Sequence, residues 1–315
     1  MNSIVAVIPT YNRIESLKKL IAALRNQTSP LCRIVVVDNN SSDGTQEWLA
    51  NIAKSDPWIR ALPLSKNTGS AGGFKAGLEH GMNGRYNAFW LMDDDAFPRE
   101  DALEKLIALA KQIPKGIVGS LMITPDENTL SWPITGYDGE TPYVINVVDQ
   151  IKNKEIEIVK VATLPYTGLL LPRRVIEKVG FPREEIFAWA DDFEYCLRMK
   201  KHNYKMFVVP RSLVYHPLQK TVFLSFMKWK MKYHPFLAPW KLYYHARNTV
   251  YVNKIHFNFC YRIKYIPVFI LQLIFSSIQN QNPLEAFKSF LQGLWDGYTR
   301  NMGERHMSKR KRHST

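Results

Sequence analysis

The sequence predicts an α/β protein: a mostly parallel, twisted sheet flanked by helices, followed by a helical, basic C-terminal region. Three observations predict it. Short apolar runs alternate with helix-length segments over the first 125 residues. Those runs are continuous rather than alternating, as strands buried on both faces are. Composition then shifts near residue 216. Residues 1–215 hold 26 Lys/Arg against 25 Asp/Glu, whereas 216–315 hold 16 against 3, with 19 of the 39 aromatics. That shift predicts one domain over 1–216 and a second over 217–315.

Taken in order, Ile4–Ile8, Arg33–Val37 and Ala88–Met92 read as buried strands, each closed by a polar turn. Helices are expected over Glu15–Asn26, Thr45–Ala53, Ala71–Gly81 and Glu100–Lys111, with Asp43 as an N-cap before Thr45. Residues 125–163 carry Pro, Gly and Asn and alternate at Val144–Val148 and Ile156–Val161, which predicts a hairpin or flap. Leu164–Leu171 reads as a strand, Arg173–Val179 as a short helix, and Glu185–Lys201 as a region ending in a helix. Tyr204–Val209 reads as a last strand. Val222, Phe226, Trp229 and Tyr233 then follow i, i+4, i+7, i+11, which predicts a helix. Ile266–Ile278 is apolar over 13 residues. A bilayer needs roughly 20, so an interfacial or packed helix is expected.

The length of 315 residues accommodates one large domain with an appendage, or two modest ones. The three cysteines (Cys32, Cys196, Cys260) show no CxxC spacing, which argues against a disulfide framework or zinc site and for a reducing compartment. Ile4–Ile8 follows the N-terminus at once, so no signal peptide is expected.

The chemistry begins at Asp93-Asp94-Asp95, three adjacent carboxylates after the apolar run Phe89–Met92. Ligands bind outside the carboxyl ends of strands in open α/β sheets, and Asp38 sits at another such end. Hard divalent cations prefer carboxylate oxygens, and Mg²⁺ takes one or two of them together with substrate phosphates. In an extended segment Asp93 and Asp95 point to one side, which suits metal binding, and Asp94 points to the other, free for a sugar hydroxyl. Arg13 can offset diphosphate charge or be a surface residue. Asp38 can accept a pyrimidine imide N–H or cap a turn. Gly69, Gly72 and Gly73 suit close ligand approach at a helix start, or packing. Asp191 and Asp192 suit a helix cap or a general base. Trp189 suits sugar stacking or a core.

Several segments, in order, resemble inverting nucleotide-sugar glycosyltransferases of family 2 with the GT-A fold. "VIPTYNR" (Val7–Arg13), "VVVDNNSSDGT" (Val35–Thr45), "NTGSAGGFKAGL" (Asn67–Leu78), "DDDAFP" (Asp93–Pro98) and "FAWADDFEYCLRMK" (Phe187–Lys200) carry the likeness, which covers about residues 1–216. The resemblance implies donor contacts at Pro9, Thr10, Arg13, Asp38, Asn67, Gly72, Asp93 and Asp94. It implies Asp192 as the base, with Asp191 beside it, and Mn²⁺ or Mg²⁺ on Asp93 and Asp95. Galactofuranosyl- and rhamnosyltransferase-like members place a metal-binding His about two dozen residues after the base, and His216 lies 24 after Asp192. "YYHARN" (Tyr243–Asn248) resembles a C-terminal element of those members, near the diphosphate or acceptor; His245 and Trp189 are the acceptor-side candidates. UDP-galactofuranose is the favoured donor and dTDP-rhamnose the alternative. The implied acceptor is a bacterial surface glycan or lipid-linked sugar. The implied location is cytoplasmic, peripheral at the inner face of the cell membrane, where the basic segment meets anionic lipid.

Two other classes share some of these features. A nucleotidyltransferase also uses acidic metal sites on an α/β sheet. A nucleic-acid binder would explain the basic tail, but an acidic ligand edge repels phosphate backbones, so no nucleic acid is expected.

Overall fold

The computed structural model describes residues 3–132, 134–138, 141–145, 157–218, 222–226, 229–233 and 237–305. They form two compact units. The first comprises residues 1–183 and 192–219; the second comprises 184–191 and 220–315.

In the first unit, strands β1 (Ile4–Thr10), β2 (Arg33–Asp38), β3 (Ile59–Pro63) and β4 (Ala88–Leu91) alternate with helices α1 (Ile14–Arg25), α2 (Thr45–Ser55) and α3 (Gly69–Met82). Then come β5 (Phe97–Pro98), α4 (Ala102–Gln112), β6 (Gly116–Ile123), β7 (Ile134–Asp138), β8 (Thr141–Ile145), β9 (Val159–Val161), β10 (Leu169–Pro172), α5 (Arg173–Val179), α6 (Asp191–Lys201) and β11 (Lys205–Tyr215). The sheet runs β3-β2-β1-β4-β10-β6-β11-β9-β7-β8, with β5 on β11. The first four strands are parallel, as are β6 and β11. Strand β10 enters antiparallel between β4 and β6, and β7, β8 and β9 pair antiparallel. The β3-β2-β1-β4 half is thus all parallel, and the whole sheet is mixed.

Both faces of β1 are buried, and its period of two divides the core. Val5 and Val7 pack with Phe74 and Leu78 of α3. Ile4, Ala6 and Ile8 pack with Leu17, Leu20 and Leu24 of α1 and Leu103 and Leu106 of α4. Helix α3 lies close on the sheet, since a Cβ at Gly77 would sit 2.4 Å from Val7 Cγ1.

Several sequence expectations are corrected here. Leu164–Leu171 is a strand only from Leu169, because Gly168 turns the chain at φ +78°. Strand β11 runs past Val209 to Tyr215; the register shift between Val209 and Leu213 absorbs Pro210, which reads as a strand end. Strands β3 and β6 had no signal: β3 is a half-exposed edge, and β6 carries two glycines. Asp43 is not the N-cap residue; Gly44 is, at φ +91°, while the Asp43 carboxylate accepts the Thr45 N–H at 3.1 Å. The flap region contains the β7–β8 hairpin; residues 146–156, including Val147 and Val148, lie outside the described residues.

In the second unit the residues read as a helix form a hairpin, β12 (Val222–Phe226) with β13 (Trp229–Tyr233). Its register pairs Val222 with Tyr233 and Phe226 with Trp229. The four residues of the expected helical stripe are therefore two cross-strand pairs, and the spacing alone fits either arrangement. Helices α7 (Pro239–His256), α8 (Phe259–Ile278) and α9 (Pro283–Thr299) follow. Helix α9 packs tightly on α7: a Cβ at Gly297 would lie 2.2 Å from the Arg247 carbonyl oxygen. Helix α8 extends the 13-residue apolar run to 20 residues, which by length and composition alone is enough to cross a membrane.

Candidate active site

Strand β4 is buried at every position and delivers Asp93-Asp94-Asp95 into the turn beyond its carboxyl end. Neighbouring β1 ends at Thr10, which pairs in register with Asp38 at the end of β2. Thr10 Oγ1 donates to Asp94 Oδ2 at 2.7 Å. Arg13 Nη1 reaches Asp94 Oδ1 at 3.1 Å and Asp95 Oδ2 at 2.5 Å. Three sequence-predicted donor residues and the acidic triplet therefore meet at one sheet edge.

His216, just beyond β11, completes the cluster. Its Nε2 lies 3.4 Å from Asp95 Oδ1, and Nδ1 is 2.8 Å from the Pro217 carbonyl oxygen. A proton on Nδ1 donated to that carbonyl leaves Nε2 to face the carboxylates, the arrangement usual for a metal-binding imidazole. The ligand atoms of Asp93, Asp95 and His216 lie within 4.8 Å of one another. Two carboxylates and one imidazole suit Mn²⁺ or Mg²⁺. The donor set fits the cation that the sequence implied.

The three carboxylates have different electrostatics. Burial raises Asp94 to about 6, against the opposing pull of Arg13 and Thr10. Burial would also raise Asp95, but its bond to His216 and the Arg13 charge outweigh it and hold Asp95 at about 2. His216 is the converse: burial lowers it, and the Asp95 bond and the Asp95 and Asp93 charges raise it above its ordinary value.

The loops beyond β1, β2 and β3 are sewn together by short polar contacts. Asp38 is buried, and its two oxygens accept the Ser41 N–H at 3.3 and 3.2 Å, the turn-capping arrangement. Asn12 Oδ1 accepts the Ser42 N–H at 2.7 Å, and Asn67 Oδ1 accepts the Gly69 N–H at 2.8 Å at the start of α3. A Cβ at Gly72 would lie 2.4 Å from the Thr68 side chain, and one at Gly73 would lie 2.6 Å from Pro9. Packing explains both glycines.

Some site residues carried no sequence signal. Thr167 Oγ1 donates to Asp93 Oδ2. Ser131 Oγ donates to the His216 carbonyl at 2.7 Å. Asn39 Oδ1 accepts from Thr68 N–H and Oγ1 at 3.1 and 2.9 Å. Each bridges segments far apart in the chain, which no local pattern reveals.

Asp192 is the second residue of α6, whose buried Glu194 pairs with Arg183 and Arg198 at 2.9 and 3.0 Å. Burial raises Asp192 to about 6; the Phe193 N–H, donated at 2.6 Å, opposes this and the Asp93 charge adds to it. Asp192 is thus electrostatically linked to the acidic triplet. Asp191 is buried at the helix start and belongs to the second unit. In that unit Trp189 and His245 meet edge to face, with ring centroids 5.0 Å apart. Arg247 and Asn248 of "YYHARN" are fully buried and donate to backbone carbonyls, so neither faces a diphosphate.

Residues 5–180 match the family described as Glycosyl transferase family 2. The chain belongs to this family. The glycosyltransferase is 25% identical over 312 residues to a dTDP-rhamnosyl transferase of Shigella flexneri, covering 94% of this chain and 96% of that one. It is 23% identical over 258 residues to a galactofuranosyltransferase of Mycobacterium tuberculosis, covering 79% and 82%. An undecaprenyl-phosphate mannosyltransferase of Micrococcus luteus is 31% identical over 130 residues, covering 41% and 52%. Among solved structures, GalNAc-T7 with UDP, GalNAc and Mn²⁺ superposes with a TM-score of 0.60 at 14% identity, over 80% of this chain and 48% of that one. S. aureus TarS superposes at 0.51 and 13% identity, over 93% and 54%. The glycosyltransferase thus spans about half of each solved chain, and the likeness shows a shared GT-A fold.

Proposed function

We propose that this glycosyltransferase is an inverting enzyme that moves a sugar from a pyrimidine nucleoside diphosphate to a hydroxyl of a bacterial surface glycan or lipid-linked acceptor. One observation carries the reading. Thr10, Arg13 and the Asp93–Asp95 triplet with His216 converge at the strand ends of the first unit. Asp38 there accepts the imide N–H of the base, exchanging its bond to Ser41. Arg13 draws charge from the donor, and Asp94 holds a sugar hydroxyl. A divalent cation held by Asp93, Asp95 and His216 would neutralise the donor diphosphate and its leaving group. Asp192 takes the proton of the acceptor hydroxyl as its oxygen attacks the anomeric carbon from the face opposite the leaving group. Trp189 and His245 are proposed acceptor contacts.

UDP-galactofuranose is the first donor proposed. The match to a dTDP-rhamnosyl transferase over 94% of this chain favours dTDP-rhamnose as the second reading. A thermal-shift screen of both, with GDP-mannose and UDP-glucose as comparators and with and without Mn²⁺, separates them. The largest shift should come from one of the two proposed donors with Mn²⁺, and turnover should release a nucleoside diphosphate. A largest shift from GDP-mannose, or release of pyrophosphate, would overturn the proposal.

The second unit is proposed to rest on an anionic membrane surface. Leu284, Phe287, Leu291, Trp295 and Tyr298 are exposed along one stripe of α9, and Phe259, Ile263, Leu271 and Ile278 are exposed on α8. The segment also carries the excess of Lys/Arg, each worth roughly 1 kcal/mol near anionic lipid. The protein should sediment with vesicles containing anionic phospholipid. High salt should weaken that binding, and Leu291→Ser with Trp295→Ser should abolish it. Equal binding to neutral vesicles and indifference to salt would remove the electrostatic contact and leave insertion of α8 as the anchor.

A further inference from the structure

The chain just before Asp192 adopts a conformation that its own residues disfavour. Phe187, Trp189 and Ala190 have φ of 69°, 69° and 65°. This is the left-handed region, which side-chain-bearing residues seldom occupy. Such a turn persists only where its surroundings over-determine it.

The groups that do so come from the middle of α7. Asn248 Nδ2 donates to the carbonyl oxygens of Ile186, Ala188 and Trp189 at 2.9, 2.6 and 2.8 Å. Arg247 Nη2 donates to the Ile186 carbonyl at 2.8 Å, and Nη1 donates to that of Gly303. Gly303 in turn donates its N–H to the Glu185 carbonyl at 2.8 Å. Arg247 Nε donates to Asn248 Oδ1 at 2.9 Å, so the two side chains hold each other. The rings of Tyr243 and Tyr244 flank the guanidinium at 5.5 and 4.7 Å. Phe187 stacks on Tyr244 at 4.9 Å. Both Arg247 and Asn248 are fully buried. Burying a guanidinium is costly unless its donors are satisfied, and here Nη2, together with the Asn248 amide, is spent on the eight-residue stretch 184–191 that leads directly into α6.

We propose that Arg247 and Asn248 are positioning residues for sugar transfer: they lock the turn at 186–190 and so fix where α6 begins and how Asp192 is presented. The inference rests on Asp192 as the base. Neither residue touches a reacting group; both act through the backbone. Small displacements of a reacting group cost rate steeply, about a hundredfold for 1 Å.

Hydrogen exchange and kinetics on the full chain test this. In the wild type, the amides of Phe187 and Ala188 should exchange slowly although they lie outside regular helix or strand; rapid exchange would overturn the proposal without any variant. Asn248→Asp keeps the size and removes the N–H donors. It should speed exchange across 184–191 and lower kcat by at least about tenfold. The stoichiometry and affinity of UDP with Mn²⁺ should not change in calorimetry. A merely structural role would instead lower the UDP stoichiometry and leave kcat per UDP-binding site intact, which overturns it. Adding Ala190→Gly to Asn248→Asp should restore part of kcat, because glycine takes positive φ without a clamp; failure of this rescue also counts against the clamp. Wild-type kcat in Asn248→Asp with an inactive Asp192→Asn refutes the clamp alone. An active Asp192→Asn refutes the base first, and the inference with it.

Discussion

Asp192→Asn should lower kcat by at least about a hundredfold, the lower end of what loss of a general base costs. The amide keeps the size of the carboxylate but cannot take a proton. Nucleotide affinity in calorimetry with Mn²⁺ should move little, because Thr10, Arg13, Asp95 and His216 come from the ends of β1, β4 and β11 and not from α6. The pH profile supplies an independent check. Asp192 is raised to about 6 by burial and by the Asp93 charge, so it acts as a base only above that pH. The kcat/KM of the wild type should fall about tenfold per pH unit on the acid side. A bound cation neutralises Asp93 and moves that limb lower. Stability runs the other way. A carboxyl whose folded pKa lies above its unfolded value of 3.8 favours the fold below pH 3.8 and loses that contribution as pH rises to about 6. Asp192→Asn should therefore raise Tm at neutral pH, and the gain should shrink toward pH 4. Asp191→Asn is the comparison and should cost less. A dead Asp191→Asn beside an Asp192→Asn that keeps more than about a tenth of wild-type kcat would move the base by one residue.

Asp95→Ala should weaken metal-dependent donor binding. Asp95 is the carboxylate shared by Arg13 and His216, and it is held at about 2, so it is ionised throughout the neutral range. Excess chelator should stop turnover of the wild type, and Mn²⁺ or Mg²⁺ should restore it. In calorimetry with Mn²⁺, Asp95→Ala should weaken UDP binding by at least about tenfold, the smaller cost seen when even an outer partner of a metal site is lost. Stability gives a readout that needs no turnover. The folded pKa of Asp95 lies below the ordinary 3.8, so its contribution is present above that pH and fades as pH falls to about 2. Asp95→Ala in chelator should thus lower Tm at pH 7 and converge on the wild type in acid. Full activity in chelator, or unchanged UDP affinity in Asp95→Ala, would remove the metal from the proposal.

The sequence by itself determined the strand-end placement of Asp38 and the Asp93–Asp95 triplet. Continuous apolar runs dictate buried parallel strands, and ligands gather at their carboxyl ends. It also determined β1, β2, β4 and the four helices between β1 and β6, though not β3, together with the bounds of α5 and the compositional break near residue 216, because each is written in local period or charge. Tertiary structure alone decided the rest. Arg13 could have been a surface residue until the fold set it against Asp95, 82 positions away. Thr167 reaches Asp93 across 74 positions, and Ser131 reaches the His216 backbone across 85. Val222, Phe226, Trp229 and Tyr233 satisfy a helical stripe and two cross-strand pairs equally, so only the pairing partner chooses between them. The same holds for Arg247 and Asn248. Their residue types suit an anionic ligand, yet the fold buries them against the carbonyls of 186–189. A donor's role is set by which acceptor the folded chain brings within about 3 Å, and local sequence does not encode that distance.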